Sequence, residues 1–205
     1  MSAAEPRRRG RPAGARSGDP ATRERILAAA RTEFSERGYD KASIRGIAKA
    51  AGVDAALVHH YFGPKDQVFE AAVELVFAPA LDLPEVVARS AAGTLGERLT
   101  RFFLGIWENP VSRQPLLAVV RSAVANETAA AVFRRLVTVQ LMRRVADELE
   151  GDDRELRVEM AAAQLVGVMM LRYVIRVEPM ASADPEQVVA MAAPAVQRHL
   201  VPRRD

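Results

Sequence analysis

The spacing of small and branched residues between positions 44 and 63 constrains the fold of this chain more than any other feature. Ala48 is small enough for a second helix to cross over the first, and Gly52, four residues later, permits a sharp turn in which a side chain would strain the backbone. Val58 and Phe62 lie four residues apart and therefore share one face of the helix that follows the turn. Residues 43–62 are predicted to form two short helices packed across a tight turn, a helix-turn-helix.

The rest of the chain predicts helices as well, because apolar residues recur at helical spacing and almost no segment alternates with a period of two. The first helix is expected to be capped by Asp19 and to end at Gly38. The helix that follows the motif is expected to bury a stripe ending in Leu75 and Val76. Pro79 and Pro84 indicate an irregular linker over 78–94. The further helices are expected at about 95–108, 113–125, 128–150, 154–177 and 184–201, the last kinked at Pro194. The predicted fold class is all-α.

Composition excludes several classes of protein. The chain lacks cysteine, which rules out disulfides and thiolate zinc sites and is compatible with a cytoplasmic location. No apolar stretch follows the charged N-terminus as a signal peptide requires. The apolar segment 160–177 is interrupted by Gln164, Arg172 and Arg176, so we expect a helix buried against protein and not a membrane span.

Residues 1–77 hold 13 basic and 10 acidic side chains, and residues 78–205 hold 16 of each, so all of the +3 net charge lies in the first third. This surplus favours an anionic polymer as the partner of that part.

His59 and His60 are adjacent, so they cannot both face the core that Val58 and Phe62 occupy. Adjacent histidines also have the wrong spacing for a metal site on one helical face, and no nucleophile accompanies them for catalysis. No metal, cofactor or catalytic residue is therefore predicted. We interpret the histidines as groups directed at an external partner, although His59 alone has a structural role as its alternative.

Residues 20–77, including "FSERGYDKASIRGIAKAAGV" and the aromatic pair before "GPK", resemble the DNA-binding domain of the tetracycline-repressor (TetR) family of bacterial regulators. The resemblance implies that Ala55, Leu57, His59 and His60 face bases or phosphates of operator DNA, and that Tyr61 and Lys65 contact the DNA backbone. The family often has a hydroxyl residue or glycine at the position of Leu57 and a tyrosine at that of His59. An apolar Leu57 favours a thymine methyl group, so the operator sequence cannot be transferred from a relative.

Three residues of this region, Lys65 among them, suit contact with DNA on chemical grounds. Lys65 is a cation in the first turn of a helix, where it opposes the helix dipole but completes an anion site with the free backbone N–H groups. Ser43 and Arg45 start the first helix of the motif and suit the DNA backbone or a base edge. Their alternatives are a helix cap for Ser43 and a solvated charge for Arg45.

The N-terminal segment "RRRGRP" carries Arg9 and Arg11 on either side of a glycine. This arrangement resembles the core of an AT-hook, in which two arginines enter a narrow minor groove. A basic tail that raises affinity without reading sequence is an equal alternative.

The expected organisation is a basic arm over 1–19, a DNA-binding domain over 20–80 and a ligand-binding and dimerisation domain over 81–205. The family resemblance implies a homodimer formed through the last two helices, and an effector pocket among the middle helices. Candidate pocket residues, chosen for apolar bulk with a few polar tips, are Phe103, Trp107, Arg121, Met169 and Tyr173. The predicted function is a repressor that binds a pseudo-palindromic operator and is released by a small apolar effector. The alternatives are an effector-independent architectural DNA-binding protein and, more distantly, a helical enzyme.

Overall fold

The computed structural model describes residues 20–201, and this part of the chain is helical with no β-strand. The first four helices form one packed unit. Their bounds are α1 Pro20–Lys41, α2 Ile44–Ala51, α3 Ala55–Phe62 and α4 Lys65–Phe77. α1 is interrupted by non-helical backbone at Gly38, where the sequence predicts its end. The predicted cap at Asp19 lies outside the described residues.

The turn between α2 and α3 has the geometry that its sequence predicts. Gly52 adopts φ 65° and ψ 38°, the left-handed region in which glycine carries no steric penalty. The Val53 amide donates to the Ala48 carbonyl at 3.0 Å and closes the turn. Asp54 then caps α3, since its carboxylate accepts from the Ala56 amide at 2.7 Å. The helix-turn-helix is thus fixed by local chemistry on both sides of the glycine.

A single apolar core joins these helices. Ile26, Ile47 and Val58 are fully buried at its centre, and the Phe69 ring meets the Phe34 ring edge-on at 4.9 Å. The predicted burial of Leu75 is wrong, because its side chain is 41% exposed. α4 instead buries Val68, Phe69, Ala72, Val73, Val76 and Phe77. These residues follow the i, i+4 rows of one helix face, and Leu75 falls outside them.

The prediction of an irregular linker over 78–94 is also wrong. A 3₁₀ helix at Ala78–Asp82 and α5 at Leu83–Ala88 continue the path of α4, and a second 3₁₀ turn follows at Ala92–Thr94. Pro79 and Pro84 each stand in the first turn of their helical segment, where the missing N–H is not needed. Proline therefore starts helices here and does not prevent them.

The remaining helices share one continuous apolar core with the first four. Their bounds are α6 Leu95–Glu108, α7 Pro110–Ala125, α8 Glu127–Arg135, α9 Arg143–Asp147, α10 Arg154–Met169 and α11 Pro185–Leu200. π-helical turns join α8 to α9 at Leu136–Met142 and extend α10 at Met170–Ile175. α7 begins earlier than predicted because Asn109 caps it, accepting from the Val111 amide at 2.9 Å. α11 continues through Pro194 without interruption.

One helical stretch among the described residues, Arg154–Ile175, is long and apolar enough to cross a membrane by length and composition alone. Only a third of its most apolar window is buried within the chain. Leu156, Met160, Leu171 and Ile175 are between 40 and 59% exposed on it. An apolar face of α10 and its extension is therefore left uncovered within the chain.

Candidate nucleic-acid interface

The exposed face of α3 carries the two adjacent histidines. His59 and His60 are both exposed, whereas Val58 is fully buried and Phe62 nearly so. Ala55, Leu57 and Tyr61 are half-buried at the margins of the same surface. A short helix with polar groups outward and its anchoring residues inward has the form that enters a major groove.

The two histidines differ in how they are held. His59 Nδ1 lies 3.0 Å from the Gly63 carbonyl, so with its proton on Nδ1 the ring donates to the end of its own helix. This contact leaves Nε2 directed away from the helix terminus and gives His59 a structural as well as an outward role. His60 packs edge-on against the Tyr61 ring at 5.6 Å. Both rings are therefore oriented before any partner arrives.

Ser43 acts as the cap of α2 in this structure. Its hydroxyl oxygen accepts from the Gly46 amide at 3.0 Å, while its own amide donates to Glu33 Oε1 at 3.4 Å. The hydroxyl proton is not used by the cap, so Ser43 retains a donor for a phosphate. Arg45, in the first turn of α2, is exposed.

Lys65 is less free than the sequence indicates. Its ammonium group lies 4.5 Å from the centre of the Tyr39 ring and donates to the Asp40 carbonyl at 3.2 Å. Burial, together with the nearby carboxylate of Asp66, raises the pKa of Tyr39, so this ring stays neutral beneath the cation. An ammonium group has three protons, and two remain for another acceptor. Lys65 is thus held in place at the junction of α1 and α4.

A further cation beside α3 was missed by sequence reasoning. The Arg23 guanidinium lies 5.0 Å from the centre of the Phe62 ring, at the C-terminal end of α3, and the residue is exposed. Nothing in the local pattern of α1 distinguishes Arg23 from Arg25 or Arg31, so only the tertiary packing reveals this position. Arg9 and Arg11, the predicted minor-groove arm, lie outside the described residues.

Among residues 20–201 no cluster of three or more potential metal ligands occurs. The second feature of interest is a cavity of about 380 Å³ between α4, α6, α7, α10 and the π-helical turn after α8. Every residue that lines it is apolar, and three of the candidate pocket residues, Phe103, Trp107 and Met169, are among them. A cavity of this size and character suits a small apolar ligand.

Two predicted pocket residues do not line this cavity. Arg121 is exposed, because it follows the cavity-lining Val120 and is rotated about 100° away from it on α7. Tyr173 lies behind Trp107, with the two rings stacked at 5.8 Å. The Tyr173 hydroxyl donates to Glu108 Oε1 at 2.8 Å, and the buried Arg172 donates to the same oxygen at 2.6 Å. Tyr173 therefore supports the cavity wall through a polar network.

Burial, reinforced by the hydrogen bond to Glu108, raises the pKa of Tyr173 to about 12. The phenol consequently remains neutral and continues to donate to the carboxylate over the whole physiological range. The polar tips expected inside the pocket are thus turned outward from it, and the cavity itself presents no charged group.

Comparison with known proteins gives a consistent result. Residues 26–72 match the model for bacterial regulatory proteins of the tetR family, and residues 93–200 match that for the tetracyclin repressor-like C-terminal domain. A TetR-family regulator from Streptomyces coelicolor has a similar structure, with a TM-score of 0.70 and 41% identity, covering 91% of this chain and 98% of that one. The HTH-type transcriptional regulator BetI of Rhizobium meliloti is 29% identical over 193 residues, covering 89% of this chain and 91% of its own length.

Salmonella enterica GusR shares the fold at 20% identity, with a TM-score of 0.66 and coverage of 88% of this chain and 97% of that one. The two matched regions together span the helix-turn-helix and most of the helices that enclose the cavity. The chain therefore belongs to the tetracycline-repressor (TetR) family of DNA-binding transcriptional regulators.

Proposed function

We propose that this regulator is a homodimeric repressor that binds a pseudo-palindromic operator and releases it when a small apolar molecule fills the cavity. The observation that carries the proposal is the position of α4. Its first residue, Lys65, follows the end of α3 after two residues, and its last residues, Val76 and Phe77, form part of the cavity wall. One helix thus spans from the DNA-binding surface to the ligand cavity, about 20 Å for 13 residues at 1.5 Å each.

On DNA, α3 enters the major groove, with Ala55, Leu57, His59 and His60 facing base edges or phosphates. Tyr61 and Lys65 contact the sugar–phosphate backbone, and Ser43 and Arg45 contact the flanking strand. The Arg23 side chain lies beside α3 and adds to the positive field at this surface. The arm over 1–19, with Arg9 and Arg11, adds electrostatic affinity or reads an adjacent minor groove.

The dimer forms through α10 and α11. The exposed apolar residues Leu156, Met160 and Leu171 on α10 and its extension, together with Met191 on α11, supply apolar area that a second copy would cover. A two-fold axis relates the two recognition helices and places them about 34–36 Å apart, one turn of B-DNA. The domains accordingly divide near residue 80, with DNA binding over 20–80 and ligand binding and dimerisation over 81–205.

Several contacts connect the cavity wall to α4 and so support transmission of a signal. Arg135 forms an ion pair with Glu70 on α4, and Gln140 Nε2, in the π-helical turn, donates to Glu74 Oε1 at 3.1 Å. A ligand that moves this wall must tilt α4, and with it α3. Release requires that the ligand bind the tilted dimer more tightly than the operator-bound one, and a typical coupling is about 1–3 kcal/mol.

The first experiment tests the DNA surface. Operator DNA is selected from a random pool with the full chain, and its affinity is measured by fluorescence anisotropy. The double variant His59→Ala, His60→Ala is expected to lose at least about tenfold in affinity, because base contacts contribute about 1–3 kcal/mol each. The matched control is His199→Ala, which replaces the chain's third histidine, on α11, and should bind DNA normally. Normal binding by the double variant would refute the assignment of α3.

An effector-independent architectural protein is the second candidate, favoured by the basic arm alone. Such a protein would bind DNA with steep salt dependence and without operator preference. Preference for one selected sequence over a scrambled competitor separates the two functions. Either function places the protein in the cytoplasm with its DNA, and neither assigns it an enzymatic activity.

A further inference from the structure

The cavity opens to solvent at two places that the sequence does not mark, one at Val124 on α7 and one at Val166 on α10, whose side chain is 44% exposed. Val124, near the end of α7, lines the cavity although its side chain is 82% exposed. A residue that combines both properties stands at an opening. A second hollow of about 330 Å³ lies against the same wall, and five of its nine lining residues also line the cavity, namely Val120, Val124, Phe133, Val137 and Met142. This hollow, between α7 and α8, is called the mouth below.

The mouth differs from the cavity in its chemistry. The cavity lining is wholly apolar, whereas the mouth adds two polar side chains, Arg134 and Thr138. Arg134 is paired only loosely with Glu127, at 3.4 Å, and the two side chains are 68% and 86% exposed. Exposed pairs of this kind contribute little and exchange readily with another anion. Arg134 is thus a cation held at the rim of an apolar opening.

Phe133 lies between the mouth and the cavity and lines both. Its ring packs edge-on against Phe77, the last residue of α4, at 5.6 Å. The π-helical turn at Leu136–Met142 forms the adjacent edge, and such turns are frequent at functional sites. A molecule that passes through the mouth must therefore displace a ring that contacts α4.

We propose that the ligand of this cavity is an anionic amphiphile, which enters between α7 and α8, places its alkyl chain in the cavity and leaves its acidic head group on Arg134 at the mouth. This inference rests on the proposed function and specifies its ligand class. An apolar cavity alone would accept neutral hydrocarbons equally well. Arg134, the cation among the residues that line the mouth, selects for a molecule that is apolar along its length and negatively charged at one end.

The test uses Trp107, the chain's single tryptophan, which lines the cavity and reports its occupation by a change in fluorescence. Decanoate and decanol, which share an alkyl chain and differ in charge, are titrated into the full-length protein. Both should alter the emission, and decanoate should bind about fivefold more tightly because of its contact with Arg134. The advantage of decanoate should shrink as ionic strength rises.

Arg134→Gln should remove the advantage of decanoate and leave decanol binding unchanged. Arg121→Gln, an exposed arginine on α7 that lines neither the mouth nor the cavity, is the matched control. Val124→Trp should narrow the mouth and slow the association of both molecules in stopped-flow fluorescence measurements. Because the variant contains a second tryptophan, its emission change on ligand binding is compared with the emission of the same variant without ligand. Circular dichroism verifies that each variant is folded.

Equal affinity for decanoate and decanol, or a decanoate affinity unchanged by Arg134→Gln, would overturn the anionic ligand class. Association unaffected by Val124→Trp would overturn the entry route. Neither result would contradict the proposed repressor function, which is supported if decanol alone releases operator DNA. Conversely, failure to select any preferred DNA would refute the repressor while leaving the fluorescence titrations valid.

Discussion

Replacing Gly52 gives the sharpest test of how the helix-turn-helix is held. The residue has φ 65° and ψ 38°, and a Cβ atom built there meets nothing within 4 Å. Any cost of a side chain is therefore conformational and not steric. A left-handed conformation costs an L-residue about 1–2 kcal/mol, and a β-branched side chain lies at the upper end of that range.

We expect Gly52→Val to destabilise the helix-turn-helix by about 2 kcal/mol. Asparagine tolerates the left-handed region far better, so Gly52→Asn is the matched control and should cost less than about 1 kcal/mol. Because the site is open, the valine variant should still fold, with the strain relieved by rotation of α3 against α2. DNA affinity should fall with it, since α3 would no longer be aligned.

Hydrogen exchange with mass spectrometry on the full chain measures this locally. Protection should drop over residues 44–62 in the valine variant, by a factor of up to about 30 for 2 kcal/mol. Protection of α10 and α11 should not change. Equal protection in the valine and asparagine variants would refute the conformational argument, and loss of protection throughout the chain would refute its local character.

Three further perturbations have definite expected outcomes. Lys65→Ala should weaken binding to every DNA sequence and lower the slope of log affinity against log salt by about one, whereas an unchanged slope would exclude a phosphate contact. Contrary to expectation from the helix dipole alone, it should also lower thermal stability slightly, by about 0.5–1 kcal/mol, because the contact with the Tyr39 ring is lost. Thr22→Val should leave the free energy of unfolding in denaturant unchanged or raise it by up to about 1 kcal/mol, since the buried Thr22 hydroxyl has no hydrogen-bond partner among residues 20–201. A loss of more than about 1 kcal/mol would show that the hydroxyl is satisfied. In the native protein the pKa of Tyr173 is raised to about 12, so the folded phenol keeps its proton at a pH where the unfolded phenol has lost it, and the free energy of unfolding falls between pH 10 and about pH 12. Tyr173→Phe removes this group and should make that fall less steep. An identical pH profile in the variant would contradict the assignment.

The dimer surface can be tested independently of DNA. Leu171→Asp should convert the dimer to a monomer in light scattering if α10 and its extension form the interface. Val111→Asp places the same charge on an 82% exposed valine of α7 and should leave the assembly intact. A dimer that persists in the Leu171→Asp variant would remove the extension of α10 from the interface.

Local chemistry explains why the sequence predicted the DNA-binding unit so well. The caps at Ser43 and Asp54, the left-handed turn at Gly52 and the i, i+4 pair Val58 and Phe62 each depend on neighbours within a few residues. The linker prediction failed for an equally local reason. Proline breaks a helix at an interior position but is tolerated in the first turn, where Pro79 and Pro84 stand.

The sequence by itself determined that the chain is helical, where its helix-turn-helix lies, and that His59 and His60 face outward, because helical periodicity and capping are properties of consecutive residues. Only the tertiary structure decided which residues enclose the cavity, because the lining residues come from six or more segments. The helical periodicity of one segment does not determine how that segment is rotated against the others. It placed Arg121 outside and Tyr173 behind Trp107, tied Lys65 to the Tyr39 ring, and brought Arg23 to the end of α3. Contacts between residues distant in sequence depend on how whole helices pack, and that packing is decided by the sum of many weak side-chain contacts.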